Sequence, residues 1–130
     1  MIRKTIKKIL PIKKYVEVSG SIIPSRYSRC CGSEFKDDNY YLESAEKESN
    51  RLIDYFQCTQ QSRILDVGCG QGRLPIGILR VIGEINYIGI DIDRKSINWC
   101  KEYIESKHPS FKFKHLNIYN ERYNNNGIKI

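Results

Sequence analysis

A chain of 130 residues, 28% charged and 40% hydrophobic, has the composition of a folded domain rather than a disordered segment, and no apolar run approaches the roughly 20 residues that a membrane-spanning helix needs. The net charge of +7 suggests a nucleic-acid partner until it is located: residues 1–14 hold six of the 22 basic residues and no acidic one, leaving 16 basic against 15 acidic, so a solvated basic tail on a near-neutral domain is expected and a nucleic-acid partner is not. Five cysteines without a C-x-x-C pair, two histidines remote from them, and no secretory apolar stretch behind the basic start lead us to expect no metal site and reduced thiols in a cytoplasmic protein.

Residues 1–38 carry Pro11, Gly20, Pro24 and Gly32 and no sustained hydrophobic period, which reads as a basic, loosely structured lead-in. From Asn39 to Gln57, Tyr41, Ala45, Leu52 and Phe56 recur near helical spacing, with Asp37, Asp38 and Asn39 available as caps. "RILDVG" (63–68) is a short apolar strand ended by glycine. Leu74, Ile78, Val81 and Ile82 then predict a helix that must begin near Gly72, because Pro75 is tolerated only in a first turn, and that Gly83 can stop. "NYIGIDI" (86–92) is a second strand. A second helix over 94–108 turns Ile97, Cys100 and Ile104 inward and stops before Pro109, and "FKFKHL" (111–116) is a third strand.

Strands alternating with helices on short links predict an α/β fold: a partial, Rossmann-like parallel sheet with flanking helices. The third strand alternates Phe111 and Phe113 with Lys112 and Lys114, the pattern of a protected edge, which gives a strand order of 3-2-1. The first two strands are continuously apolar, as expected of strands covered on both faces. Nothing in the chain supplies a neighbour for the far side of the first strand. Residues 39–130 are therefore expected to be the incomplete front part of a longer domain, with an open edge that could template self-association.

Gly68, Gly70 and Gly72 follow the first strand directly. A glycine turn lets a ligand approach the backbone, and the helix start beyond it offers unpaired N–H groups. Asp91 ends the second strand, where a carboxylate can accept both hydroxyls of a ribose. Loop and carboxylate together call for a nucleoside-containing ligand. The dinucleotide fingerprint G-x-G-x-x-G would need glycine where Arg73 stands; the spacing here is G-x-G-x-G behind Asp66.

That form, "DVGCGQG" (66–72), resembles motif I of the class I S-adenosylmethionine-dependent methyltransferases. "GIDIDRKSINWCKE" is similar to the family's ribose-binding second motif. "FKHLNIYNERYNNNG" and "CCGSEFKDDNYYLES" are similar to the segment after the third strand and the lead-in helix of a bacterial branch, so the resemblance covers about residues 32–127. It implies that Gly68, Cys69, Gly70 and Gly72 line the methionine part of S-adenosyl-L-methionine and that Asp66 holds its amino group. It also implies that Asp91 binds the ribose, that Ile92 packs on the adenine, and that Asn117 and Ile118 form an adenine-contacting pair. Asn117 stands where the family often has aspartate, so its side-chain oxygen would have to read the adenine amino group.

The family's acceptor-binding and base residues usually follow a fourth strand, so the resemblance names no catalytic residue. The methyl acceptor is unidentified, with a small molecule as the first expectation. Two alternatives stay open: a non-catalytic nucleoside-cofactor-binding fragment, and an NAD-dependent oxidoreductase, which Arg73 disfavours. Asp93 reads equally as a helix cap and as a ligand contact, Trp99 as core, and His115 as solvent-facing.

Overall fold

The computed structural model describes residues 11–30 and 32–130, so the basic tail expected over residues 1–14 falls almost wholly outside it. Its first element corrects the reading of residues 15–24 as loose. Tyr15–Val18 (β1) and Ser21–Pro24 (β2) pair as an antiparallel hairpin. Ser19 and Gly20 make its two-residue turn, both at positive φ (47° and 77°), the geometry that matches the twist of paired strands. Ile23 is fully buried and Arg80 clamps the hairpin from outside, donating to Ser19 O and Ser21 Oγ at 2.9 Å each while pairing with Glu46.

Two short turns, Arg26–Ser28 and Ser33–Lys36, lead to α1, Asp38–Phe56. Of the three candidate caps, Asp37 serves: its carboxylate accepts the Tyr40 N–H at 2.7 Å. Tyr41, Leu42, Ala45 and Ser49 are buried, whereas Phe56, at the end of the expected apolar face, is exposed. Helix α2, Arg73–Val81, starts directly after Gly72 and carries Pro75 in its first turn, as the sequence requires. It lies against α1 backbone to backbone: a Cβ on Gly77 would sit 2.0 Å from Ala45 O.

Arg63–Val67 (β3), Asn86–Asp91 (β4) and Phe111–His115 (β5) form a parallel sheet in the order β3-β4-β5, with β5 at one edge as expected. Between the last two, α3 (Arg94–Cys100) continues as a wider π-type turn over Lys101–Glu105 that keeps Ile104 facing inward with Ile97 and Cys100. Asp93 caps α3, accepting from Ser96 N and Ser96 Oγ. Trp99 belongs to the core, its indole N–H donating to Lys14 O at 2.8 Å.

The expectation that both inner strands are covered on both faces is corrected. Ile64, Tyr87, Phe111 and Phe113 pack into the helical layer, but Leu65 is 65%, Val67 74% and Ile88 39% exposed. The reason is topological. Successive right-handed crossovers advancing in one direction lay their helices on the same face of the sheet, and among the described residues nothing covers the other.

Candidate functional site

The carboxyl ends of β3, β4 and β5 meet at one rim. Gly68 N and Cys69 N both donate to Ile90 O, at 2.8 and 3.1 Å, which closes the end of β3 onto β4. Asp91, at the tip of β4, accepts Gly70 N on Oδ2 at 2.7 Å and Asp93 N on Oδ1 at 2.8 Å. Leu116 N donates to Asp91 O at 2.9 Å and His115 Nε2 to Ile92 O at 3.1 Å. These bonds bring Asp91, Ile92 and the start of the segment carrying Asn117 beside the glycine loop. His115 is thus half-buried rather than solvent-facing.

The loop glycines divide into two kinds. Gly68 and Gly70 have φ of +86° and +54°, and a Cβ on either would meet nothing within 4 Å. Their outer sides face open space that a ligand can enter. Gly72 (φ +84°) is buried against the first long turn of the α3 segment, where a Cβ would lie 2.7 Å from Ile104 Cδ1 and 3.1 Å from Cys100 Sγ. Cys69 turns its side chain inward, into the space that Gly89 leaves on β4. Burial, reinforced by the Asp66 and Asp91 carboxylates, pushes its thiol up to about 12.

The loop amides are spent within the protein. Besides Gly68 and Cys69, Gly70 N is held by Asp91 and Gly72 N by Cys69 O at 3.2 Å. The sequence reading expected free N–H groups here; the folded loop instead offers carbonyl oxygens and open Cα faces. Such a surface suits a cationic group and lacks the amide cradle on which a pyrophosphate sits.

Below the loop opens a cleft of about 280 Å³ lined by Asp66, Gly68, Gly70, Arg29, Tyr41 and Arg73, among others. The Tyr87 hydroxyl donates to Asp66 Oδ2 at 2.6 Å, orienting the carboxylate and leaving Oδ1 without a partner among the described residues. Burial first, then Asp66, holds Tyr87 protonated. Arg29, Tyr41 and Arg73 are cleft residues that sequence reasoning missed. A buried arginine before a helix cap was the available signal, but it is visible only once the hairpin is recognised.

Asn117 and Ile118 lie in a closed loop. Asn124 Nδ2 donates to Asn117 Oδ1 at 3.0 Å and to Ile118 O at 2.7 Å, while Ile128 N donates to Asn117 O at 2.8 Å. Part of the acceptor capacity expected at Asn117 is therefore taken up internally. Among the described residues no group of histidine, cysteine and acidic side chains could hold a metal ion, and no helix is long and apolar enough to cross a membrane.

Comparison with known proteins matches residues 64–129 to the family described as methyltransferase domain. The putative methyltransferase 235L of Invertebrate iridescent virus 6 is 32% identical over 73 residues, covering 56% of this chain and 26% of that protein. The uncharacterized protein MJ0284 of Methanocaldococcus jannaschii is 54% identical over 39 residues, 30% of this chain and 17% of its own length. The chain thus spans about a quarter or less of these curated relatives. Among solved structures, E. coli YjhP aligns with a TM-score of 0.45 at 26% identity, over 58% of this chain and 33% of its own. The plantazolicin methyltransferase BpumL, solved with a desmethyl-plantazolicin analogue and S-adenosylhomocysteine, aligns at 0.44 and 24% identity, over 63% and 31%. The family match spans half of the chain, which belongs to the methyltransferase-domain family.

Proposed function

We propose that this member of the methyltransferase-domain family binds S-adenosyl-L-methionine at the β3–α2 loop and forms the cofactor-binding portion of a class I methyltransferase. The observation that carries the reading is the loop itself. Gly68 and Gly70 are open on the outside and their amides are already used, so the site presents carbonyls and Asp66 to a ligand whose amino-acid end is an ammonium. A dinucleotide would need the amides instead.

In this reading Gly68 and Gly70 contact the methionine part, and Gly72 and Cys69 back the loop from the protein side. Asp66 Oδ1 accepts from the ammonium. Each Asp91 oxygen, having accepted one backbone N–H, keeps acceptor capacity for a ribose hydroxyl. Ile92 and Ile118 flank the adenine, and Asn117 shares its side-chain oxygen between Asn124 and the base. When bound, the cofactor supplies a methyl group already activated as a sulfonium; the chain's task is to hold it in place and exclude alternatives.

The acceptor we propose is a small molecule, since the charge outside residues 1–14 is nearly balanced and gives no field for nucleic acid. A cytoplasmic location belongs to the same reading. Equilibrium dialysis against radiolabelled S-adenosylmethionine, competed with S-adenosylhomocysteine and with NAD, tests it. Displacement by S-adenosylhomocysteine and not by NAD is expected; displacement by NAD alone overturns the reading in favour of a nicotinamide enzyme.

A further inference from the structure

Two guanidiniums face the cleft below the glycine loop, and they are not alike. Arg29 is almost fully bonded. Its Nε donates to Pro24 O at 2.8 Å, Nη1 to Phe35 O and Lys36 O at 2.9 and 3.3 Å, and Nη2 to Asp38 Oδ1 at 2.7 Å. Arg73 is half-buried and, among the described residues, makes one long hydrogen bond, to Ser44 O at 3.4 Å, and no ion pair. Its guanidinium also rests on the Phe35 ring at 5.4 Å, which fixes the side chain without neutralising it. A partly desolvated, unpaired guanidinium is costly unless an anion completes it.

Tyr41 stands next to it. The residue is 4% exposed and lines the cleft, its ring lies under Arg29 at 4.8 Å, and both guanidiniums act on its hydroxyl. Among the described residues that hydroxyl has no hydrogen-bond partner. Burial raises its pKa even against the two cations, so it remains a neutral donor. Across the cleft is Asp66, with Oδ1 unpartnered.

The geometry points to Arg73 and Tyr41 as a carboxylate subsite that, with Asp66 opposite, reads the amino-acid end of the ligand as a zwitterion. This assignment rests on the cofactor reading above. It adds that the N-terminal helix α1, through Tyr41, takes part in ligand selection, and that Arg29 acts as the support that holds the Tyr41 ring.

Calorimetric titration of the whole chain with S-adenosylhomocysteine and with its decarboxylated analogue, which keeps nucleoside, thioether and amine, tests the subsite. The unaltered chain should bind the analogue about tenfold or more weakly, the scale of a charge-assisted pair. Arg73→Gln and Tyr41→Phe should each weaken S-adenosylhomocysteine severalfold and leave the analogue within about twofold, with cooperative melts confirming the fold. Equal affinity of the unaltered chain for both ligands overturns the subsite alone, as does an equal loss for both ligands in the variants. Failure of S-adenosylhomocysteine to bind at all overturns the cofactor reading and the subsite with it.

Discussion

Replacing Asp91 by asparagine separates its two duties. In the folded chain each carboxylate oxygen accepts one backbone N–H, Gly70 at 2.7 Å and Asp93 at 2.8 Å. An amide has a single acceptor oxygen, so one of these N–H groups loses its partner, at a cost of about 1–3 kcal/mol to the loop. The ribose then meets an NH₂ where it would have met a second anionic acceptor. Losing one hydrogen bond to a charged group costs about 1.5–3 kcal/mol of binding, or about 12- to 140-fold in affinity at 1.4 kcal/mol per decade. Calorimetry with S-adenosylhomocysteine and its 2′,3′-dideoxy analogue reads this directly. The unaltered chain should lose affinity for the dideoxy ligand, and Asp91→Asn should show little further loss. A well-folded Asp91→Asn protein that keeps native affinity, or that pays the full dideoxy penalty again, refutes the ribose assignment.

Gly70→Ala should fold, because the added Cβ meets nothing within 4 Å, at a cost of about 1–2 kcal/mol for the left-handed backbone; ligand binding should be abolished, as followed by dialysis. Gly77→Ala should destabilise the chain by about 1–3 kcal/mol or more in thermal melts, since the methyl would collide with Ala45 O and separate α1 from α2. Cys69, pushed up to about 12, should resist iodoacetamide at pH 8 in the native state and react freely in denaturant, as mass spectrometry of the labelled peptides will show. Hydrogen bonds from Ser110 and His108 lower the Glu84 pKa below its ordinary value. A depressed carboxylate stabilises the fold above its unfolded pKa and loses that contribution as pH falls through the folded value; acid melts should therefore steepen below about pH 4.5 and do so less in Glu84→Gln. The open β3 edge, with Leu65 and Val67 exposed beside it, should give concentration-dependent association in sedimentation experiments, and a strict monomer at all concentrations would contradict that.

How far the sequence could be read depended on whether the deciding contact was local. The β3–α2–β4 unit was legible because Pro75, Gly72 and Gly83 bound the helix and the apolar runs bound the strands. The cap at Asp37 and the edge position of Phe111–His115 followed from residue type and alternation alone. The hairpin was missed although Ser19–Gly20 between "VEV" and "SII" is a turn signal; each strand has only four residues, too few to establish a period. The bare sheet face was misread because an apolar run states that burial is favourable, not which element supplies it. At the site, glycine spacing and the Asp91 position were visible, yet the three glycines were treated alike. Only the fold separates Gly72, packed on Cys100 and Ile104, from Gly68 and Gly70, open to solvent. Tyr41 and Arg73 reach the cleft through the packing of α1 on α2, a relation between residues 32 positions apart that no local pattern encodes.

The claim that the β3–α2 loop is a cofactor site meets its most direct test in the backbone amide spectrum of the labelled chain on addition of S-adenosylhomocysteine. Saturable shifts should concentrate at residues 66–72, 91–93 and 117–118, with little change in the cleft lined by Ile76, Leu79, Arg80 and Tyr103 under the hairpin. Shifts confined to that other cleft, or a spectrum unmoved at millimolar ligand, would contradict the account.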